Sequence, residues 1–139
     1  MITLIGCQEK RQYSDAEVCE LLSEIGQNDQ KFRFKLKDTT ISKKIKDSLW
    51  EIQSDLDNQN TKLMIEIIDQ KGWPNADSLD CNEPPPTIIV FRHAPKKFFD
   101  TIQTIIDTEL ERGTIDGLNH MFIDNHLKGR PAFQFDSVE

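Results

Sequence analysis

A single, all-α domain of four to six helices is the fold class the sequence predicts, on three observations. Capped apolar segments recur at helical spacing along most of the chain. Gly or Pro punctuates their ends. Only "PAFQFDSV" (131–138) alternates like a short extended segment, packing Phe133 and Phe135. The 139 residues, 37% hydrophobic with eight Phe and two Trp, suit one modest core.

The first helix starts at Ser14, where Ser14-x-x-Glu17 fits a capping box. Val18, Leu21, Leu22 and Ile25 follow on one face, and the stripe runs on through Asp29 to Phe32 and Leu36. Asp29 thus occupies a place where an apolar residue is expected, and it needs a partner: Arg33, one turn on, or His93. A second helix is expected from about Thr40, with Ile41, Ile45, Leu49, Ile52 and Leu56 inward. "DNQN" (57–60) reads as an interruption, and Asn60 as the cap of a third helix carrying Leu63, Met64, Ile67 and Ile68. "QKGWPN" ends that helix, with Gly72 in the left-handed conformation, Trp73 folded back onto Ile68 in a Schellman arrangement, and Pro74 forbidding continuation. The loop 75–86 closes on three prolines, which favour extended backbone.

"TIIVFRHA" (87–94) is too short for periodicity to separate strand from helix. Pro95 can open a helix with Phe98, Ile102, Ile105, Ile106 and Leu110 inward, closed by Gly113. Asp116 caps the last helix, with Leu118, Met121 and Phe122 inward and Gly129 at its end. Cys19 lies within a helical pattern, so a buried free thiol is its expected state; pairing with Cys81 in an oxidising compartment is the alternative.

Several function classes lose support. The net charge of −7 opposes a general grip on nucleic acid or anionic membrane, so no nucleic-acid partner is expected. Lys43-Lys44-Lys46 and Lys96-Lys97 read as solvated faces. No run of about 18 apolar residues is present to span a bilayer. HExxH, paired CxxC, Gly-x-Ser-x-Gly and a phosphate-cradling glycine loop are all missing, so no cofactor is expected. Asp116, His120 and Asp124 share one helix face, but such a face is more often solvated and no metal is expected.

"NDQKFR" (28–33), "DNQNTKLMIEIIDQKGWP" (57–74), "FRHA" (91–94), "ELERG" (109–113), "FIDN" (122–125) and "GRP" (129–131) follow one another in order. The set resembles an uncharacterised bacterial family with Asp-Gln-x-x-Arg-like, Gly-Trp-Pro, Gln-His-Ala, Asp-Arg and Gly-(Lys/Arg)-Pro-Gln motifs, over residues 16–135. The resemblance implies a mostly helical domain, with helix rather than strand at 87–94. It implies no catalytic role. Asp29, Gln30, Arg33, Trp73, His93 and Asp124 match the motifs. Arg92 stands where the family has Gln, Asn125 where it has Arg, and Ala132 where it has Gln. Asp29, Gln30, Arg33, Trp73, Arg92, His93 and Asp124 are therefore the candidate polar site. Each also has a structural explanation: His93 as a satisfied junction histidine, Asp29–Arg33 as an intrahelical ion pair, Trp73 as a helix clasp.

The start of the chain, "LIGC" (4–7), resembles the lipobox of bacterial lipoproteins, in which the cysteine thiol receives a lipid. Only six residues precede Cys7 and none is basic, which is too short for a signal peptide. An upstream segment is therefore expected, with residues 1–13 as truncated signal, lipobox and tether and residues 14–139 as the helical domain. The competing reading is an apolar segment packed on the core of a cytoplasmic protein. The expected function is a protein-binding domain of a periplasm-facing lipoprotein, of the immunity type that neutralises a toxin, touching the membrane only through its anchor. The alternative is a hydrolase-type enzyme built on Asp29, Arg33, His93 and Asp124. An enzyme should gather those side chains in one concave pocket, and a binder should spread its surface over a flatter face.

Expressing the gene with its upstream frame and fractionating the cells tests the N-terminal reading. Intact mass should show cleavage before Cys7 with added acyl chains. A cytosolic product that keeps Met1–Gly6 would overturn it.

Overall fold

The computed structural model describes residues 10–131. The helices are α1 (Asp15–Gln30), α2 (Arg33–Leu36), α3 (Lys43–Lys71), α4 (Ala76–Leu79), α5 (Thr87–Arg92), α6 (Phe99–Arg112) and α7 (Gly117–Leu127). α2 and α4 are single turns, and a short 3-10 turn, Lys96–Phe98, leads into α6. No strand occurs among the described residues, and 87–94 is helical over α5. The lipobox and the alternating stretch around Phe133 and Phe135 lie outside the described residues.

The core gathers Val18, Leu22 and Ile25 from α1 and Met64, Ile67 and Ile68 from α3. Val90 and Phe91 from α5, Ile102 and Ile106 from α6, Ile123 from α7, and Ala94 and Ile115 between helices complete it. α1 lies along α3, while α7 packs against both α5 and α6. The capping box at Ser14–Glu17 forms as expected. Residues 10–13, expected to be tether, are held on α3: Gln70 accepts from the Tyr13 N–H at 3.1 Å and donates to the Arg11 carbonyl at 2.7 Å.

Three expectations, on helix bounds, helix faces and cysteine state, are corrected. First, the second and third expected helices are one 29-residue helix, α3, capped by Ser42 rather than opening at Thr40. "DNQN" lies inside it, with Asp57 and Asn60 facing inward. The inward stripe is Gln53, Asp57, Asn60, Thr61, Met64, Ile67 and Ile68, so Ile45 and Ile52 point outward. Second, α7 turns Ile123 to the core while Leu118 and Met121 are exposed. Its packed face includes two histidines: His120 Nε2 meets Asp107 of α6 at 2.7 Å and His126 Nε2 donates to the Ala94 carbonyl at 3.0 Å. In α6, similarly, Leu110 is exposed and Glu109 is buried, satisfied by Arg112 and Thr114.

Third, Cys19 is disulfide-bonded to Cys81, not free. Asp80 takes the left-handed conformation after α4 and swings Cys81 back toward α1, leaving the two Cα atoms 5.4 Å apart. That spacing suits a disulfide. The bond spans a sequence separation of 62, and on chain-entropy grounds such a closure stabilises by about 4 kcal/mol.

Schellman terminators occur at Gly113 and Gly129, where Thr114 and Arg130 donate back to Glu109 and Asn125 across the last turn. Gly72 does not form one. Its φ of 79° is positive as expected, but ψ is −173°, and one hydrogen bond closes the turn, from Gly72 N–H to the Ile68 carbonyl. Trp73 packs on the core cluster that includes Ile68, and its ring meets Phe91 edge-on at 6.0 Å.

This backbone region is essentially restricted to glycine, and nothing lies within 4 Å of a Cβ added at Gly72. Gly72→Ala should therefore destabilise through strain alone, by about 1–3 kcal/mol. Urea unfolding checks this against Gly117→Ala, where φ is not positive and the space is open. Equal midpoints for the two variants would contradict it.

Candidate functional site

The site begins with one buried carboxylate. Asp29 is 1% exposed on the last turn of α1. His93, at the C-terminal end of α5, places Nδ1 2.9 and 3.0 Å from its two oxygens. Gln30 Nε2 donates to Oδ2 at 2.6 Å, and Arg33 Nε lies 3.6 Å from the same oxygen. Arg33 then reaches across to α3, where its Nη2 donates to Asp57 Oδ1 at 2.5 Å. Of the expected partners of Asp29, the structure supplies both.

Gln53 sits under this cluster, fully buried. Its Oε1 accepts from the Phe32 N–H at 3.0 Å. Its Nε2 faces the Asn28 and Asp29 carbonyls at 3.1 Å and Asp57 Oδ1 at 3.0 Å. One side chain thus satisfies both the end of α1 and the break before α2, groups that would otherwise be buried unpaired. Asn60 adds a bond to the Ile25 carbonyl at 3.3 Å. Breaking a buried ion pair such as Arg33–Asp57 by removing one partner costs about 3–5 kcal/mol. A surface pair such as Lys43–Asp47 contributes at most about 1 kcal/mol.

Above the cluster opens a cleft of about 750 Å³. Gln30, Arg33, Asp57, His93, His126 and Arg130 supply polar lining, with Trp50, Ile89 and Leu36 supplying apolar wall. With the ring proton on Nδ1, His93 donates to Asp29 and Nε2 is the acceptor nitrogen. Nε2 has no hydrogen-bond partner among the described residues. Such a nitrogen, oriented by a carboxylate and lining a cleft, is suited to accept a proton.

Asp29, Gln30, Arg33 and His93 are thus brought together. The other candidates lie elsewhere. Trp73 belongs to the core margin. Asp124 pairs with Lys128 at 2.5 Å. Arg92 places its guanidinium 5.3 Å from the Phe122 ring, and its carbonyl accepts from Arg130 Nη2 at 2.5 Å. Of the residues weighed for metal binding, Asp116 accepts from the Asn119 N–H and His120 pairs with Asp107, so their side chains have other partners.

The sequence reading missed Gln53, Asp57, Trp50, His126 and Arg130. A signal existed for the first two: residues 53, 57, 60, 64 and 67 share one face of a continuous helix.

The chain matches no family model, no curated protein and no solved structure.

His126 is held below the ordinary histidine range, first by burial and then by the charges of Arg130, His93 and Arg92, against the raising effect of its bond to Ala94. The unfolded chain therefore takes up a proton near pH 6.5 that the folded chain resists. The stability from this group is full above that pH and is lost as pH falls from there through the folded value. Urea midpoints should drop between about pH 7.5 and about pH 5.5, and His126→Gln should flatten the drop. Parallel profiles for the two proteins would refute this.

Proposed function

We propose that the cleft is a site of acid–base, hydrolase-type chemistry on a small molecule, with His93 as the proton acceptor. The observation that supports it best is the Asp29–His93 pair, 2.9 Å apart, whose open Nε2 belongs to a concave site rather than a flat face. By the criterion of concavity, this favours the enzymatic reading over the binding one.

In the hydrolytic step, Nε2 of His93 takes a proton from water as the water oxygen bonds to the carbonyl carbon or phosphorus of an ester. Asp29 stabilises the resulting imidazolium. The ester bond breaks, and the imidazolium returns the proton to the departing oxygen. Arg33 and Asp57 act as positioning residues by holding Asp29.

A second reading, a protein-binding domain that neutralises a toxin, is favoured by exposed apolar side chains near the start of α3. Phe34 is 88% exposed and Trp50 55%, with Ile45 and Ile52 also outward. Both readings suit the cell envelope. The Cys19–Cys81 disulfide supports an oxidising compartment, and the lipobox-like "LIGC" supports an anchor at Cys7.

p-Nitrophenyl acetate and p-nitrophenyl phosphate test the first reading. Turnover of either should fall about 100-fold or more in His93→Gln. In Asp29→Asn the pH profile of turnover should shift, because the carboxylate that stabilises the imidazolium is gone. No turnover above buffer, or equal turnover by His93→Gln, would leave the binding reading in place.

A further inference from the structure

Resting on the reading of the cleft as a ligand site, we infer that it takes a small oxyanion, a phosphate or carboxylate group carried on a flat apolar body, with Arg130 as the group that holds the anion. Three observations carry this.

The first is charge. Arg33, Lys37 and Arg130 line the cleft, against Asp57 as the one acidic residue of its lining. Asp57 is already engaged by Arg33, and so is the buried Asp29 beneath. Arg130 is held by neutral acceptors, His126 Nδ1 at 3.2 Å and the Arg92 carbonyl. Neither Arg130 nor Lys37 has a carboxylate partner among the described residues. In a chain of net charge −7, these cations line a cleft with no described carboxylate paired to them. The same surplus helps depress His126, which feels Arg130, His93 and Arg92 together.

The second is backbone strain. Arg130 has φ of 58°, directly after Gly129 at 85°. A side chain other than glycine in this region costs about 1 kcal/mol or more, and such strain concentrates where a side chain must be placed for a ligand. Here it completes the Schellman turn while setting the guanidinium against His126 and Arg92. The planar guanidinium can present paired N–H donors to an oxyanion.

The third is shape. Trp50 and Ile89, both partly exposed, line the same cleft as Arg130. They offer apolar surface for the body of a ligand whose charged end lies at Arg130. That arrangement would present the ligand to His93.

The test is an NMR titration of the full chain, disulfide intact, with inorganic phosphate and separately with acetate, at constant ionic strength against sodium chloride. Saturable shifts at the His93 ring and the Trp50 indole are expected with at least one of the two, and which one responds identifies the anion. Arg130→Gln should weaken that binding about tenfold or more, while Arg130→Lys recovers part of it. Arg130 is exposed, so the fold of the variants is checked by unchanged core signals. No saturation with either anion, a matching response to chloride, or equal affinity in Arg130→Gln would overturn the inference. Anion binding without ester turnover would leave it standing and remove the hydrolytic reading. Turnover of both esters indifferent to Arg130→Gln would do the reverse.

Discussion

One buried carboxylate organises this molecule. Asp29 faces inward on a helix whose neighbouring inward residues are Val18, Leu22 and Ile25. An ionised group in such a place is costly unless it is surrounded by donors. His93 and Gln30 hydrogen-bond to it, and Arg33 offsets its charge from 3.6 Å. Arg33 brings a charge of its own, which Asp57 balances, and Asp57 lies on α3 only because the inward face of α3 is polar there. The positions of α1, α3 and α5 are tied together at this point by charge as well as by the core below. The same demand that fixes the fold leaves one nitrogen of His93 unused and lining the cleft.

The helical class, the capping box, the ends at Gly113 and Gly129, and the burial and partners of Asp29 were legible in the sequence. Each depends on local residue types or on a single i,i+4 relation, except the pairing of Asp29 with His93, 64 residues away. The errors in helix bounds and faces share one physical cause. In α3 and α7 the inward stripe contains polar side chains: Gln53, Asp57 and Asn60 in one, His120 and His126 in the other. Reading the apolar residues alone rotates each helix away from its true face, and in α3 it also turns buried polar residues into an apparent break. A polar residue is welcome in a core when a distant backbone or charge satisfies it, and the distant group is invisible to periodicity. The site was half legible for the same reason. Asp29 interrupts an apolar stripe with Gln30 and Arg33 close by in sequence, and His93 closes a short apolar run, while Asp57 and Arg130 reach the site only through tertiary packing. The disulfide was hidden too, because the pairing depends on the left-handed turn at Asp80.

The two helices with Schellman ends show how loop geometry serves the cleft. Gly113 and Gly129 both close a helix by the same pair of backbone bonds. Only the second is followed by a residue of positive φ with a long charged side chain, and only that side chain reaches the cleft. A common structural device has here been given a directional side chain.

The Cys19–Cys81 bond closes a covalent ring around α2, α3 and α4. The turn between α2 and α3 lies within this ring, with Thr39 and Thr40 exposed on it. A protease that cuts there severs the main chain yet releases nothing, because both pieces remain linked through sulfur. Asp29 and Arg33 stay on one piece and Asp57 and His93 on the other, held within reach of each other. The nicked molecule is thus a two-fragment protein whose effective concentration is set by its own disulfide. In a compartment rich in proteases, that linkage converts cleavage from a loss into a tolerated modification.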